Sequence, residues 1–138
     1  MEVSFKNQTK LRVRYGETDQ MGYCYYGNYA QYFEVGRVEA MRSVGMSYRE
    51  MEERGIMLPV SDFSVKYHVP AKYDDELIIT TSITMVKGAR LLFDYEIHNK
   101  KGDLVAKAHT TLVFVAVENM RPVKAPADFI ELLEKYRI

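Results

Sequence analysis

The sequence predicts an α+β fold in which one long helix comes early and is followed by an antiparallel sheet. Apolar side chains recur every three or four positions over residues 29–44, as on the buried face of a helix. From residue 56 onward the chain instead shows β-branched, alternating stretches separated by short turns. With 138 residues, 47% of them apolar, the chain suits a single domain over residues 1–138.

The first element is expected to be a strand over residues 3–15. Phe5, Leu11, Val13 and Tyr15 share one parity, and lysine and arginine residues take the other. Such alternation is typical of a half-exposed strand. These four side chains are therefore expected to face the core.

The long helix is expected to be capped by Asn28 and to end at Gly45, because these residue types are common at helix ends. Glu34 and Arg37 lie three positions apart on it and are expected to form a structural ion pair. Directly after this helix, residues 47–50 have the spacing of a capping box, which predicts a second, short helix.

Strands dominate the rest of the chain. Turn residues at 87–89 and 100–103 predict that the last three strands form an antiparallel meander. Ala106, Ala108 and Thr110 give one strand a face of small side chains, which predicts that another element packs closely there, with the long helix as the first candidate. The expected strands cover residues 56–69, 77–86, 91–98 and 104–117, and a last helix covers 127–136.

Composition excludes several classes of protein. Nineteen basic and nineteen acidic side chains cancel, so the chain lacks the basic surplus of a nucleic-acid binder. The single Cys24 excludes an internal disulfide, and without a leader or a long apolar run we expect a cytoplasmic protein with no membrane span. His68, His98 and His109 lack the spacing of metal ligands, so no metal site is expected.

The stretch from residue 17 to residue 29 carries the chemistry. It places a carboxylate, Asp19, a glycine turn and the start of a helix within about a dozen residues. A carboxylate next to backbone N–H groups that stabilise negative charge is the arrangement that acyl transfer needs. The alternative is that Asp19 only caps a turn, as aspartate often does.

This stretch resembles the active-site signature of the hotdog-fold acyl-CoA thioesterases of the 4-hydroxybenzoyl-CoA thioesterase type. The signature positions are Asp19, Gly22, Tyr26 and Tyr29. Many bacterial relatives carry histidine at the position of Tyr26, but the 4-hydroxybenzoyl-CoA branch also has tyrosine there. The resemblance covers nearly the whole chain and includes Tyr32-Phe33-Glu34 with Arg37, and Pro70-Ala71-Lys72-Tyr73-Asp74-Asp75-Glu76-Leu77.

The resemblance implies a long central helix wrapped by a curled antiparallel sheet, and a hydrolase that cleaves acyl-CoA without metal or cofactor. It implies that Asp19 acts as nucleophile or as general base, and that N–H groups near Tyr26 and Gly27 bind the oxyanion. Gly22 is expected to allow a tight turn. Tyr26 is expected either to contact the acyl group or to fill a dimer seam, and Asn28 either to cap the helix or to bind substrate.

Further expectations concern partners. Lys87 and Arg90 flank a turn where the resemblance places cations for the CoA phosphates, although a solvated turn is an equal alternative. The resemblance also implies a homodimer or a dimer of dimers. An acyl carrier protein thioesterase and a non-catalytic acyl-binding domain are the two alternatives, and Cys24 is a poor nucleophile candidate because no histidine is near it in sequence.

Overall fold

The computed structural model describes residues 1–138, and its largest element is an antiparallel sheet packed against one long helix. The five strands of this sheet lie in the order β1-β4-β5-β6-β3, and β2 and β7 form a separate pair. The elements are β1 (Glu2–Arg12), α1 (Tyr29–Val44), α2 (Tyr48–Glu53), β2 (Ile56–Met57), β3 (Val60–Tyr67), β4 (Glu76–Lys87), β5 (Arg90–Asn99), β6 (Leu104–Val113), β7 (Val115–Ala116) and α3 (Ala127–Glu134).

The predicted α+β class is confirmed, and so are its main elements. The long helix α1 covers the predicted residues and ends at Gly45, whose φ of 118° lies in the left-handed region that favours glycine. Ser47 caps α2 by accepting a hydrogen bond from the Glu50 N–H at 3.1 Å. Strands β4, β5 and β6 form the predicted antiparallel meander.

The first strand ends three residues earlier than predicted. After Arg12 the chain leaves β4, and the N–H of Val13 donates to the Asp75 carbonyl at 3.0 Å instead. Tyr15 then lies in a short 3-10 turn with 79% of its surface exposed, and its ring contacts Tyr73 edge-on. The prediction that Tyr15 faces the core is wrong, because the alternation continues past the point where the chain leaves the sheet.

Two of the predicted strands are each divided into two. Pro59 separates β2 from β3, since proline has no N–H to donate to a neighbouring strand. The fully buried Phe114 separates β6 from β7, and its N–H donates to the Ala89 carbonyl at 2.8 Å. The last helix also ends at Glu134 rather than at residue 136.

Helix α1 comes closest to the sheet at Gly36, over β4. A Cβ atom on Gly36 would lie 2.5 Å from the Thr81 Oγ1 and 2.8 Å from the Ile79 Cγ2. The small face of β6 is buried, as predicted, but α1 lies mainly over β1 and β4, so the long helix is not the element that packs closely on it. Glycine at this position therefore allows α1 to pack tightly on β4.

The edge strand β3 is the least covered part of the sheet. Phe63 and Tyr67 are 40% and 44% exposed on it, which is high for aromatic side chains in a sheet.

None of the helices has the length and the apolar character needed to cross a membrane.

Candidate active site

Residues 18–24 form a closed loop that carries Asp19. Thr18 and Cys24 pair as an isolated antiparallel bridge, and the Asp19 N–H donates to the Tyr23 carbonyl at 2.8 Å. Gly22 turns the chain back with a φ of 81°, and its N–H donates to the Asp19 carbonyl at 3.0 Å. The turn therefore uses a backbone conformation that side-chain-bearing residues rarely adopt.

The two carboxylate oxygens of Asp19 have different surroundings. Its Oδ1 accepts hydrogen bonds from the Met21 N–H at 2.9 Å and from the Tyr23 N–H at 3.2 Å. Its Oδ2 has no hydrogen-bond or ion-pair partner in the chain. The turn thus fixes one of the two carboxylate oxygens through backbone N–H groups.

The helical segment that contains α1 begins at Tyr26, two residues after the end of the Asp19 loop. A 3-10 turn over Tyr26–Asn28 runs directly into α1. The N–H groups of Tyr26 and Gly27 are in the first turn of this helical segment, where an N–H group has no carbonyl acceptor within the helix. Such N–H groups carry the positive end of the helix dipole. A Cβ atom on Gly27 would lie 2.6 Å from the Tyr25 Cε2, so glycine allows this ring to lie against the backbone.

Asn28 does not cap the helix. Its backbone is helical, with φ −78° and ψ −16°, and its side chain accepts no capping hydrogen bond. The helical turn starts before the predicted cap position, which places Asn28 inside the helical segment rather than ahead of it. Its Nδ2 instead donates to the Glu17 carbonyl at 2.8 Å.

Glu17 is a buried carboxylate beside the loop, and reasoning from sequence missed it. Its Oε1 accepts hydrogen bonds from the Arg14 N–H and from the Tyr32 hydroxyl, both at 2.8 Å. Its Oε2 accepts from the Arg14 Nε at 3.1 Å and from the Arg14 Nη2 at 2.8 Å. Burial alone would raise the pKa of Glu17, but these hydrogen bonds outweigh it and hold the pKa below its ordinary value. The sequence shows only that Glu17 follows Arg14 by three positions, which does not reveal that the carboxylate is buried.

The second signature segment lies against the Asp19 loop. The Cys24 N–H donates to the Ala71 carbonyl at 2.7 Å, and Tyr23 pairs with Lys72 as an isolated bridge. Asp75 closes this segment by accepting a hydrogen bond from the Lys72 N–H at 2.9 Å. The two parts of the chain that carry the resemblance are therefore neighbours in space.

Tyrosine rings line the surface beside the first helical turn. The Tyr67 hydroxyl donates to the Tyr26 carbonyl at 3.3 Å, and the Tyr67 ring lies 5.1 Å from that of Tyr29. Tyr26 is 63% exposed, so this surface is open to a ligand. Burial raises the pKa of Tyr29 to about 12, which keeps its phenol neutral and excludes it as a base at neutral pH.

Cys24 is not built as a nucleophile. Its Sγ lies 3.3 Å from the Tyr32 hydroxyl, and no histidine is hydrogen-bonded to it. Burial raises the pKa of the thiol, so it stays protonated at neutral pH. The chain holds no group of three or more histidine, cysteine, aspartate or glutamate residues positioned for a metal ion.

The remaining predicted residues lie away from the Asp19 loop. Lys87 and Arg90 pair across the turn between β4 and β5, whereas the loop lies near the other end of β4, at Glu76. Eleven residue steps at about 3.3 Å each separate these ends by about 36 Å along the strand, so the two cations lie far from the Asp19 loop of their own chain. Glu34 and Arg37 form the predicted ion pair, with 3.9 Å between the Glu34 Oε2 and the Arg37 Nη2.

Comparison with known proteins identifies the family. Residues 13–133 match the model of the thioesterase-like superfamily. YneP of Bacillus subtilis (strain 168) is 36% identical over 138 residues, which cover 98% of each chain. The chain belongs to the thioesterase-like superfamily. "Acyl-CoA thioester hydrolase YbgC" of Escherichia coli O157:H7 is 31% identical over 120 residues, which cover 87% of this chain and 90% of YbgC.

Solved structures of thioesterases share the fold. DHNA-CoA thioesterase from Staphylococcus aureus superposes with a TM-score of 0.91 at 34% identity, covering 95% of this chain and 90% of its own. A 4-hydroxybenzoyl-CoA thioesterase with one aspartate changed to asparagine, in complex with 4-hydroxybenzoyl-CoA, gives a TM-score of 0.85 at 26% identity, covering 94% and 99%. The predicted hotdog fold and family are confirmed, and the chain is a thioester hydrolase of the acyl-CoA thioesterase family.

Proposed function

We propose that this thioesterase hydrolyses acyl-CoA to a free carboxylic acid and CoA, with Asp19 as the reacting carboxylate. The observation that carries the proposal is the asymmetry of Asp19, whose Oδ1 is held by two N–H groups while its Oδ2 has no partner. The N–H groups of Tyr26 and Gly27, in the first turn of the helical segment, are the proposed donors to the oxyanion. Tyr26 and Tyr67 offer an aromatic surface for the acyl group.

In the first of two routes Asp19 is the nucleophile. Its Oδ2 attacks the thioester carbon, and the carbonyl oxygen becomes an oxyanion that the helix N–H groups stabilise. The C–S bond then breaks, CoA leaves as a thiolate that takes up a proton, and a mixed anhydride remains on Asp19. Water hydrolyses this anhydride, which releases the acid and restores the carboxylate.

In the second route Asp19 is a general base. Its Oδ2 takes a proton from a water molecule, the resulting hydroxide attacks the thioester carbon, and CoA leaves in the same way. Turnover in water labelled with heavy oxygen identifies the nucleophile route if label enters the Asp19 carboxylate, because water then attacks the Asp19 carbon of the anhydride. Label in the released acid alone fits the base route and also fits attack of water on the acyl carbon of the anhydride, so trapping the anhydride with hydroxylamine as an enzyme hydroxamate separates these two cases.

Changing Asp19→Asn tests the role of this residue. The amide oxygen of the new side chain still accepts both turn hydrogen bonds, so folding should survive, but the side chain no longer attacks or accepts a proton. Turnover should therefore fall by about 10²- to 10⁴-fold, the usual contribution of such a group, while acyl-CoA still binds. Steady-state hydrolysis, a binding titration and a melting curve on one preparation provide the measurement.

The alternative role of Asp19 as a turn cap predicts a different result. Asparagine caps turns about as well as aspartate, so a cap would lose about 1 kcal/mol of stability or less and keep its turnover. A folded Asp19→Asn protein with wild-type hydrolysis would therefore remove Asp19 from the proposal. Wild-type protein without activity on any thioester would favour a non-catalytic acyl-binding role.

The substrate is best defined with a panel of short, long and aromatic acyl-CoA thioesters. CoA thioesters are the proposed class because the names of YbgC and of the two solved thioesterases each specify a CoA thioester. The same acyl groups carried by acyl carrier protein should be hydrolysed more slowly at equal concentration. Faster hydrolysis of the carrier-protein thioesters would assign the enzyme to that substrate instead.

A further inference from the structure

Glu17 lies where the Asp19 loop and the start of the helix meet, but the proposed reaction does not use it. Its backbone carbonyl accepts hydrogen bonds from the Tyr25 N–H and from the Asn28 Nδ2, both at 2.8 Å. Tyr25 directly follows the loop, and Asn28 lies in the first helical turn. One carbonyl therefore ties the beginning of the loop both to its end and to the helix.

The side chain of Glu17 makes a second, independent connection to the helix. Its Oε1 accepts the Tyr32 hydroxyl hydrogen bond at 2.8 Å, and Tyr32 lies one turn into α1. The same hydroxyl lies 3.3 Å from the Cys24 Sγ, at the far end of the loop. Arg14 donates three hydrogen bonds to the carboxylate, which fix its orientation toward Tyr32.

Burial makes these contacts specific rather than incidental. Glu17 retains 9% of its surface exposure and Tyr32 retains 3%, so the hydrogen bond between them is shielded from bulk water, whereas the Arg14 side chain is exposed. A buried carboxylate without its donors is strongly disfavoured, which restricts Glu17 to this arrangement. Hydrogen bonds from charged donors, as from Arg14, are also stronger than neutral ones.

We propose that Glu17 is a positioning residue for thioester hydrolysis. Glu17 holds the Asp19 carboxylate at a fixed distance from the N–H groups of the first helical turn. The inference rests on the proposed function, since both groups it positions are those that would attack the thioester and stabilise the oxyanion. Hydrolysis needs the Asp19 carboxylate and the helix N–H groups to act on the same thioester carbonyl group at the same time. A displacement of about 1 Å between two such groups can reduce the rate by about 10²-fold.

The test is Glu17→Gln, which keeps the backbone carbonyl and the shape of the side chain but removes its charge. We expect kcat to fall by about tenfold or more while KM for acyl-CoA stays unchanged, because binding does not require the exact separation. Tyr32→Phe removes the hydroxyl that joins the Glu17 carboxylate to α1 and lies beside the Cys24 Sγ, but it leaves the three Arg14 donors in place, so it should lower kcat by a smaller factor. The double variant should lose less than the product of the two factors, since both changes break one connection.

Asp128→Asn is the matched control. Asp128 receives two hydrogen bonds from the Arg54 guanidinium, at 2.9 and 3.0 Å, so this change also removes a carboxylate from an arginine pair. Asp128 lies in the first turn of α3 and is hydrogen-bonded to no residue of the Asp19 loop. We expect Asp128→Asn to lower the melting temperature and to leave kcat unchanged when both proteins are assayed well below melting.

Each outcome decides the role of Glu17. A folded Glu17→Gln protein with wild-type kcat, or an equal loss of kcat in Asp128→Asn, would overturn the inference. If Glu17→Gln does not fold, Tyr32→Phe carries the test alone, and wild-type kcat in that variant would likewise overturn it. Absence of hydrolysis in the wild type, or full activity in Asp19→Asn, would instead contradict the proposed function.

Discussion

Glu17 also makes the stability of this protein depend on pH. Its pKa lies below the ordinary value, so its contribution to stability is complete above about pH 4.3, where the unfolded chain also ionises. That contribution is lost as the pH falls through the folded pKa. We therefore expect the difference in melting temperature between wild type and Glu17→Gln to shrink from neutral pH toward pH values below about 4.

Glu131→Gln is the control for this pH series. Glu131 lies on the exposed side of α3 and has no ion pair, so its removal should leave the pH dependence of the melting temperature as in wild type. A constant melting-temperature difference for Glu17→Gln across the whole pH series would contradict the depressed pKa.

Single residues also show where sequence reasoning works at the site. The tight turn at Gly22 beside Asp19 was predictable because a motif within one short stretch marks both residues, and the catalytic role of Asp19 stays a prediction. Glu17 was missed because its partner Tyr32 is 15 positions away, and nothing local distinguishes a buried glutamate from a solvated one. Asn28 followed the local rule for a cap, but the fold extends the helical turn upstream and redirects its amide to Glu17.

At the level of elements, periodicity predicted α1 and the meander because both bury one face over many residues. Periodicity failed at strand ends, where single contacts determine the residue at which a strand stops. Tyr15 continues the alternation after the chain has left β4. Phe114 is of a residue type that is common in strands, but it interrupts the strand, and its N–H donates to the Ala89 carbonyl. The close approach of Gly36 to β4 was also invisible, since it joins residues more than 40 positions apart in the sequence.

The contact at Gly36 predicts the effect of Gly36→Ala. Alanine favours a helix over glycine by about 1 kcal/mol, but its Cβ would lie 2.5 Å from the Thr81 Oγ1. Overpacking of this kind costs about 1 to 3 kcal/mol, so we expect a lower free energy of unfolding in urea. Ser43→Ala, at an exposed position of α1, isolates helix propensity and should be neutral or stabilising. An increase in stability for Gly36→Ala would contradict this close packing.

At the scale of the whole molecule, two features call for a second copy of the chain. The edge strand β3 presents unpaired backbone groups together with the exposed rings of Phe63 and Tyr67. Lys87 and Arg90 lie about 36 Å along β4 from the end that carries the Asp19 loop. We therefore expect a homodimer or a dimer of dimers, and light scattering that shows an active monomer at micromolar concentration would contradict it.

We expect Lys87 and Arg90 to bind the CoA phosphates in the site of a neighbouring subunit, and hybrid oligomers test this directly. One subunit carries Asp19→Asn and the other carries Lys87→Ala with Arg90→Ala, each with its own purification tag. In the hybrid, one site combines an intact Asp19 with intact cations from the neighbouring subunit. That site should show wild-type KM, whereas oligomers of the Lys87→Ala, Arg90→Ala chain alone should show a raised KM whose difference from wild type shrinks as salt is added. A hybrid that keeps the raised KM would place the cations in the same subunit's site, and an unchanged KM in the double variant would show that they do not bind CoA.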